Sequence, residues 1–203
     1  MRLHHPISAS YAPQFFLLVS LCIPLTHAYA EKADSFKKTE VSAEYNVSDL
    51  KSNITTLSGN VELTRGTLIV RAARAVVTES AGKSGNFVLF GGAGAQVFFR
   101  QKRDGGPDLW LEGSADRVEY DDKTEMVKFI SKARVHYLEG KRVTQEQVGE
   151  FLSYDSLNDV FIAANSSSGK HIPGAGRVTL TIEPKIEPKI EPKTDSKIEK
   201  KQN

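Results

Sequence analysis

The sequence predicts an all-β body, and three observations predict it. No window of about 11 residues places apolar side chains at i, i+3, i+4 and i+7, so helical periodicity is missing. Period-two alternation takes its place. It is clearest at Val127, Phe129, Ser131, Ala133, Val135 and Tyr137, opposite Lys128, Ile130, Lys132, Arg134 and His136. Turn-forming clusters punctuate such runs at 58–60, 81–86, 102–108, 120–124, 154–159 and 166–170.

The chain has 203 residues and a formal net charge of +2. That length suits one domain with extra segments. The near-neutral balance argues against a nucleic-acid partner, because phosphate contacts need a clear basic excess.

Residues 1–30 read as a secretory signal peptide. Arg2, His4 and His5 give a weakly positive start, residues 15–25 are apolar, and Ala28 and Ala30 are small. Cleavage is expected after Ala30. The apolar run is too short to span a bilayer, which takes about 20 residues. Cys22, the only cysteine, falls inside this signal, and Leu21 stands where lipoprotein processing wants a small residue. The mature chain is therefore expected to lack disulfides and to be soluble outside the cytoplasm.

Residues 31–38 form a polar lead-in. The stretch LSGNVELTRGTLIVRAARAVV, 57–77, has two strand-like flanks about Gly66, with Ser58-Gly59-Asn60 read as a turn. GGAGA at 91–95 has no helix after it, so it reads as a bend or close backbone approach rather than a phosphate loop. Leu109, Leu111, Gly113 and Ala115 form an apolar face opposite Trp110, Glu112, Ser114 and Asp116. The strands are expected to be many and short.

They also repeat weakly. Leu57, Val61 and Leu63 have the spacing of Phe129, Ala133 and Val135. Apolar-x-x-apolar steps recur at Ala73–Val76, Ala115–Val118 and Val148–Phe151. Self-similarity of this kind points to stacked strand units. From 182 to 193 the chain reads IEPKIEPKIEPK. Proline at every fourth position blocks helix and sheet ladders, so 183–203 is expected to be a disordered, partly polyproline-like tail.

Catalytic chemistry is not legible. His136 and His171 have no Cys or His at metal-ligand spacing, and His136 reads as a solvated surface side chain. No G-x-S-x-G is present. Asp121, Asp122 and Glu125, and likewise Asp155 and Asp159, lie in turn segments, where Asp caps the backbone. No catalytic residue, metal site or cofactor is predicted. What remains is the apolar face. Small residues among the inward Val, Leu and Phe would leave room for a long flexible apolar ligand.

The segment Thr56–Thr78 resembles the opening repeat of the periplasmic lipopolysaccharide-transport bridge family, also called the organic-solvent-tolerance A-like family. Leu57, Gly59, Asn60, Val61, Leu63, Gly66, Val70, Ala73 and Val76 occupy its motif positions. Residues 90–101 and 111–135 resemble the following strand pairs, and the likeness spans about 39–165. Two departures stand out: Gln96 replaces a proline, and Ser131-Lys132 replaces Gly-Asn.

The resemblance implies an open β-jellyroll, or β-taco, over 31–182, whose apolar interior takes the acyl chains of lipid A. Its motif positions imply an inward set of Thr39, Val41, Leu57, Val61, Leu63, Leu68, Val70, Val97, Phe99, Leu111, Val118, Tyr120, Phe129, Val135 and Tyr137. Thr39 and Val41 would lie on the N-terminal edge strand. Implied partners are lipopolysaccharide, an inner-membrane jellyroll component, an outer-membrane translocon and further copies of the chain, stacked head to tail in the periplasm. Two rivals remain on the residues alone. One is a structural β-solenoid that polymerises edge to edge without lipid cargo. The other is a glycan-active β-helix enzyme, which would need carboxylates facing a groove.

Overall fold

The computed structural model describes residues 33–80 and 83–184. The expected signal peptide with Cys22, and all but the first two residues of the expected tail, lie outside the described residues. The described chain is a meander of strands: β1 (Glu40–Ser42), β2 (Tyr45–Asp49), β3 (Ile54–Arg65), β4 (Leu68–Ser80), β5 (Lys83–Phe90), β6 (Val97–Lys102), β7 (Leu109–Ala115), β8 (Arg117–Asp121), β9 (Met126–Glu139), β10 (Arg142–Asp155), β11 (Val160–Ala164) and β12 (Thr179–Ile182). Many are short, as expected, but β3, β4, β9 and β10 run for 12 to 14 residues.

Those four long strands are bent, and the bend sets the architecture. All pairing is antiparallel, and every strand joins one continuous sheet. Its first leaf runs β1-β3-β4-β6-β7-β9-β10-β12. Its second runs β2-β3-β4-β5-β8-β9-β10-β11. The long strands belong to both leaves, so the sheet is folded over along one line. Irregular backbone marks the crossings at Gly59-Asn60 in β3, the 91–96 loop, Asp116 and Ser131-Lys132 in β9, while β4 and β10 pass the line opposite the two bulges without an extra residue of their own.

The local reasons are visible. Gly59 and Asn60 sit at φ of 78° and 45°, left-handed values that Gly and Asn tolerate. The pairing of β3 with β4 shifts register there, so Ser58-Gly59-Asn60 is a bulge inside a strand and not the expected turn. A bulge bends the strand without ending it. Ser131 and Lys132 adopt the same conformation, at 66° and 51°, where the family pattern has Gly-Asn. Gln96, at the proline position, donates to Asp116 Oδ1 and to the Lys132 carbonyl, both at 3.1 Å, and so ties three crossings together. In GGAGA, a Cβ on Gly91 would lie 2.4 Å from the Ala95 carbonyl oxygen, which is the close approach expected there.

The core lies between the leaves. Phe99 of the first meets Phe129 of the second edge to face at 5.4 Å, and both are fully buried. Each large side chain buried in this way stabilises the fold by about 1.5–3 kcal/mol. Leu57 and Leu63 on one strand, and Phe129 and Val135 on another, all face inward, so the predicted repeat is one of facing as well as spacing. The apolar-x-x-apolar steps straddle the fold line, but only Ala115–Val118 is inward at both ends. Ile130, assigned to the polar face, is buried; its cross-strand neighbours Phe151 and Arg117 stand on the same outer face.

The polar lead-in is not free of the body. Asp34 is 4% exposed, and its Oδ2 accepts the Thr67 amide at 2.9 Å and the Thr67 hydroxyl. Gly66, at φ 60°, turns the β3–β4 hairpin under it; a Cβ there would overlap the Asp34 carboxylate.

Candidate functional site

The inward face of the folded sheet gathers almost all of the predicted set. Leu57, Val61, Leu63, Leu68, Val70, Val97, Phe99, Leu111, Val118, Tyr120, Phe129 and Val135 belong to one buried cluster. Val41 and Tyr137 pack against it. Thr39 is half-buried and stands one residue before β1 rather than on it. The strand pleat explains the grouping, because alternate side chains share a face and both leaves turn that face inward. Sequence reasoning passed over Ala75, Val77, Phe87, Leu89, Leu152 and Tyr154, which complete the lining. The alternation in Asn86–Phe90 was the available signal for Phe87 and Leu89.

Small inward residues do not leave the space expected of them. The room at Gly113 is taken by the Phe129 ring, from which an added Cβ would be 2.2 Å. The chain's own side chains fill the interior at that level.

Away from the fold line, each leaf has a free margin, and the two margins are clasped by polar contacts. Arg65 at the end of β3 donates to Asp122 and to the Tyr120 hydroxyl across the leaves. Arg103, just after β6, lies over the Tyr137 ring at 4.6 Å and 3.9 Å from the Asp159 carboxylate. Asp159 also accepts the Tyr154 hydroxyl at 3.0 Å. Asp121 and Asp155 do what turn chemistry predicts. Asp121 accepts the Lys123 and Thr124 amides, and Asp155 those of Leu157 and Asn158. The Thr124 amide above all holds the Asp121 carboxyl below its ordinary range, and the Asn158 side chain does so for Asp155.

The outer faces are polar networks. His136, expected to be solvated, is half-buried with Nε2 3.0 Å from Glu146 Oε1, beside Arg134. That bond to His136, then Arg134, lowers the Glu146 pKa. Among the described residues no group of three or more His, Cys, Asp or Glu is placed to hold a metal ion.

Among the described residues, both ends of the folded sheet are edges without a further strand, and both carry apolar side chains. Tyr45 and Val47 of β2 are 65% and 52% exposed at one end. Leu180 and Ile182 of β12, 55% and 70% exposed, stand at the other beside Ile162 of β11. There the chain crosses from β11 to β12 around Asn165, which donates to the Ile172 and Gly176 carbonyls and accepts the Ile172 amide.

Known proteins are similar to this chain in sequence and in shape. Residues 40–159 match the family described as LptA/(LptD N-terminal domain) LPS transport protein. The lipopolysaccharide export system protein LptA of Haemophilus influenzae is 25% identical over 171 residues, covering 84% of this chain and 91% of that protein. LptA of Escherichia coli is 26% identical over 186 residues, covering 92% and 91%. The crystal structure of LptH from Pseudomonas aeruginosa, titled the LptA homologous periplasmic component of the lipopolysaccharide transport device, superposes with a TM-score of 0.63. It is 18% identical, over 74% of this chain and 99% of that one. That likeness identifies the fold as a β-jellyroll.

Proposed function

The chain belongs to the LptA/(LptD N-terminal domain) family of LPS transport proteins, and from that premise we propose that it carries lipopolysaccharide across the periplasm without catalysing a reaction. One observation carries the reading: the apolar interior is continuous from strand to strand between two free sheet edges. Acyl chains gain about 0.8 kcal/mol per buried CH₂, and a uniform apolar wall lets them slide. Leu57, Val61, Leu63, Leu68, Val70, Val97, Phe99, Leu111, Val118, Tyr120, Phe129, Val135 and Tyr137 form that wall, with Thr39 and Val41 at its upstream end.

Each free edge offers unpaired N–H and C=O groups to another strand. The two edges differ, so contact between copies is heterologous and repeats into an open, head-to-tail stack. In this reading the same edges meet an inner-membrane jellyroll upstream and an outer-membrane translocon downstream. In the same reading residues 1–30 are a signal peptide removed on export, 31–182 are the lipid-binding domain, and 183–203 are a Glu/Pro/Lys-rich tail.

Photo-crosslinkers placed at Val61 and Phe129 in the full chain test the reading. Both are expected to capture lipopolysaccharide in cells, while crosslinkers at the outward Glu62 and Arg134 capture none. Capture from the outward positions alone would refute the groove.

A further inference from the structure

Two arginines on the clasped margin carry an inference that rests on the lipid-carrier reading and names the part of the lipid they take. Arg65 extends the inward phase of Val61 and Leu63 by one step and is 3% exposed. Its guanidinium bridges to Asp122 and Tyr120 and lies over the Tyr120 ring at 5.3 Å. Its Nε has no hydrogen-bond partner. Arg103 extends the phase of Val97, Phe99 and Gln101. It lies over Tyr137, reaches Asp159 only at 3.9 Å, and its buried Nε also has no partner. The two sites share one plan: an arginine from the first leaf over a tyrosine ring, one aspartate from a turn of the second leaf, and a donor left over.

A guanidinium has five N–H donors, and a single carboxylate satisfies two at best. A phosphate offers more charge and three acceptor oxygens in a geometry that arginine matches. The aspartates are therefore adequate partners in the clasped form and inferior to phosphate as ligands. Chains can enter sideways only if the margins part, which breaks both Arg–Asp contacts at the place where a headgroup would arrive. An anion there replaces the lost counter-charge, whereas a neutral headgroup leaves two arginines uncompensated beside apolar chains.

We propose that Arg65 and Arg103 form the headgroup subsite of this carrier. As the margins open, each exchanges its aspartate, Asp122 or Asp159, for a phosphate of an acylated phosphoglycolipid, with Tyr120 and Tyr137 holding the guanidinium planes.

The test compares binding of the full chain to detergent-dispersed diphosphorylated lipid A, to the same lipid stripped of phosphate, and to inorganic phosphate. Wild type is expected to prefer the phosphorylated lipid by about tenfold, the worth of one charge-assisted contact. Arg103→Gln loses most of that preference, because the stripped lipid no longer leaves a buried arginine uncompensated. Asp159→Asn removes the carboxylate that holds the closed clasp, so both lipids bind severalfold more tightly and the preference for the phosphorylated one remains. A merely structural clasp predicts no such split. Arg65→Gln would leave Asp122 facing an uncharged partner, so it is made together with Asp122→Asn, and this pair behaves as Arg103→Gln does. Equal binding of both lipids by wild type, or an unchanged preference in the arginine variants, overturns the subsite and leaves the groove standing. Inorganic phosphate binding as tightly as the phosphorylated lipid assigns the site to a free anion and also overturns the subsite. If neither lipid binds, the carrier reading falls and the subsite with it.

Discussion

A methyl group added at Gly113 would lie 2.2 Å from Cε1 of Phe129 and 2.5 Å from its Cζ. A ring tip usually swings aside, but Phe129 is fully buried and packed edge to face on Phe99. The two leaves would have to move apart or the ring leave its rotamer. Gly113→Ala is therefore expected to destabilise the fold by about 1–3 kcal/mol, the usual cost of overpacking. Chemical denaturation measures it, and Phe129→Leu in the same chain should recover most of the loss. An unchanged midpoint would mean that the leaves are not in contact at this level. The same pair shows what alternation leaves unsaid. Period two placed Gly113 and Phe129 inward, but a glycine facing inward reads equally as space for a ligand or for a neighbour's ring, and only the leaf-to-leaf distance decides. Arg65, Arg103 and Asp122 were legible in principle, because each sits beyond an apolar run and in phase with it, Arg65 and Asp122 by one pleat and Arg103 by two, past Gln101. Charge alone made them look like surface.

At the scale of strands, the fold line depends on left-handed residues within strands. Gly59-Asn60 announces such a residue pair, although a break of that kind reads as a turn unless the apolar phase on both sides is compared. Ser131-Lys132 announces nothing, since neither side chain favours positive φ; the tertiary fold imposes the conformation, with Gln96 bonded to the Lys132 carbonyl. The ends were easier to foresee as strands than as surfaces. All of β12 is exposed, and its pairing to β10 leaves its other edge without a strand partner among the described residues. Leu180→Lys with Ile182→Lys places charges on that edge, a device that blocks strand addition. Self-association at high concentration, followed by sedimentation velocity, is expected to weaken by an order of magnitude or more, while thermal stability stays within about 0.5 kcal/mol because both side chains are already exposed. Association at the wild-type level would show that β12 is not the contact.

At the scale of the molecule, the question is how a closed interior admits a lipid. Sequence periodicity cannot separate a core from a groove, because both need the same inward apolar set; family resemblance alone distinguished them. The structure adds a hinge and a clasp. The leaves are covalently continuous only across the fold line, and at the opposite margin they are joined by Arg65–Asp122 and Arg103–Asp159. Parting that margin breaks no backbone hydrogen bond between neighbouring strands, and the entering acyl chains cover the apolar surface it uncovers, whereas entry from a sheet end requires each chain to thread past Phe99 and Phe129. Lateral entry is thus the cheaper route, and a covalent clasp should block it. With no cysteine after Cys22, Arg103→Cys and Asp159→Cys can be bridged selectively by a reducible bismaleimide. The bridged protein is expected to keep its strand circular dichroism and to capture lipid A at least tenfold more slowly than the unbridged pair, with reduction restoring the rate. Capture at an undiminished rate would mean that lipid threads in from the free edges and that the leaves stay closed throughout.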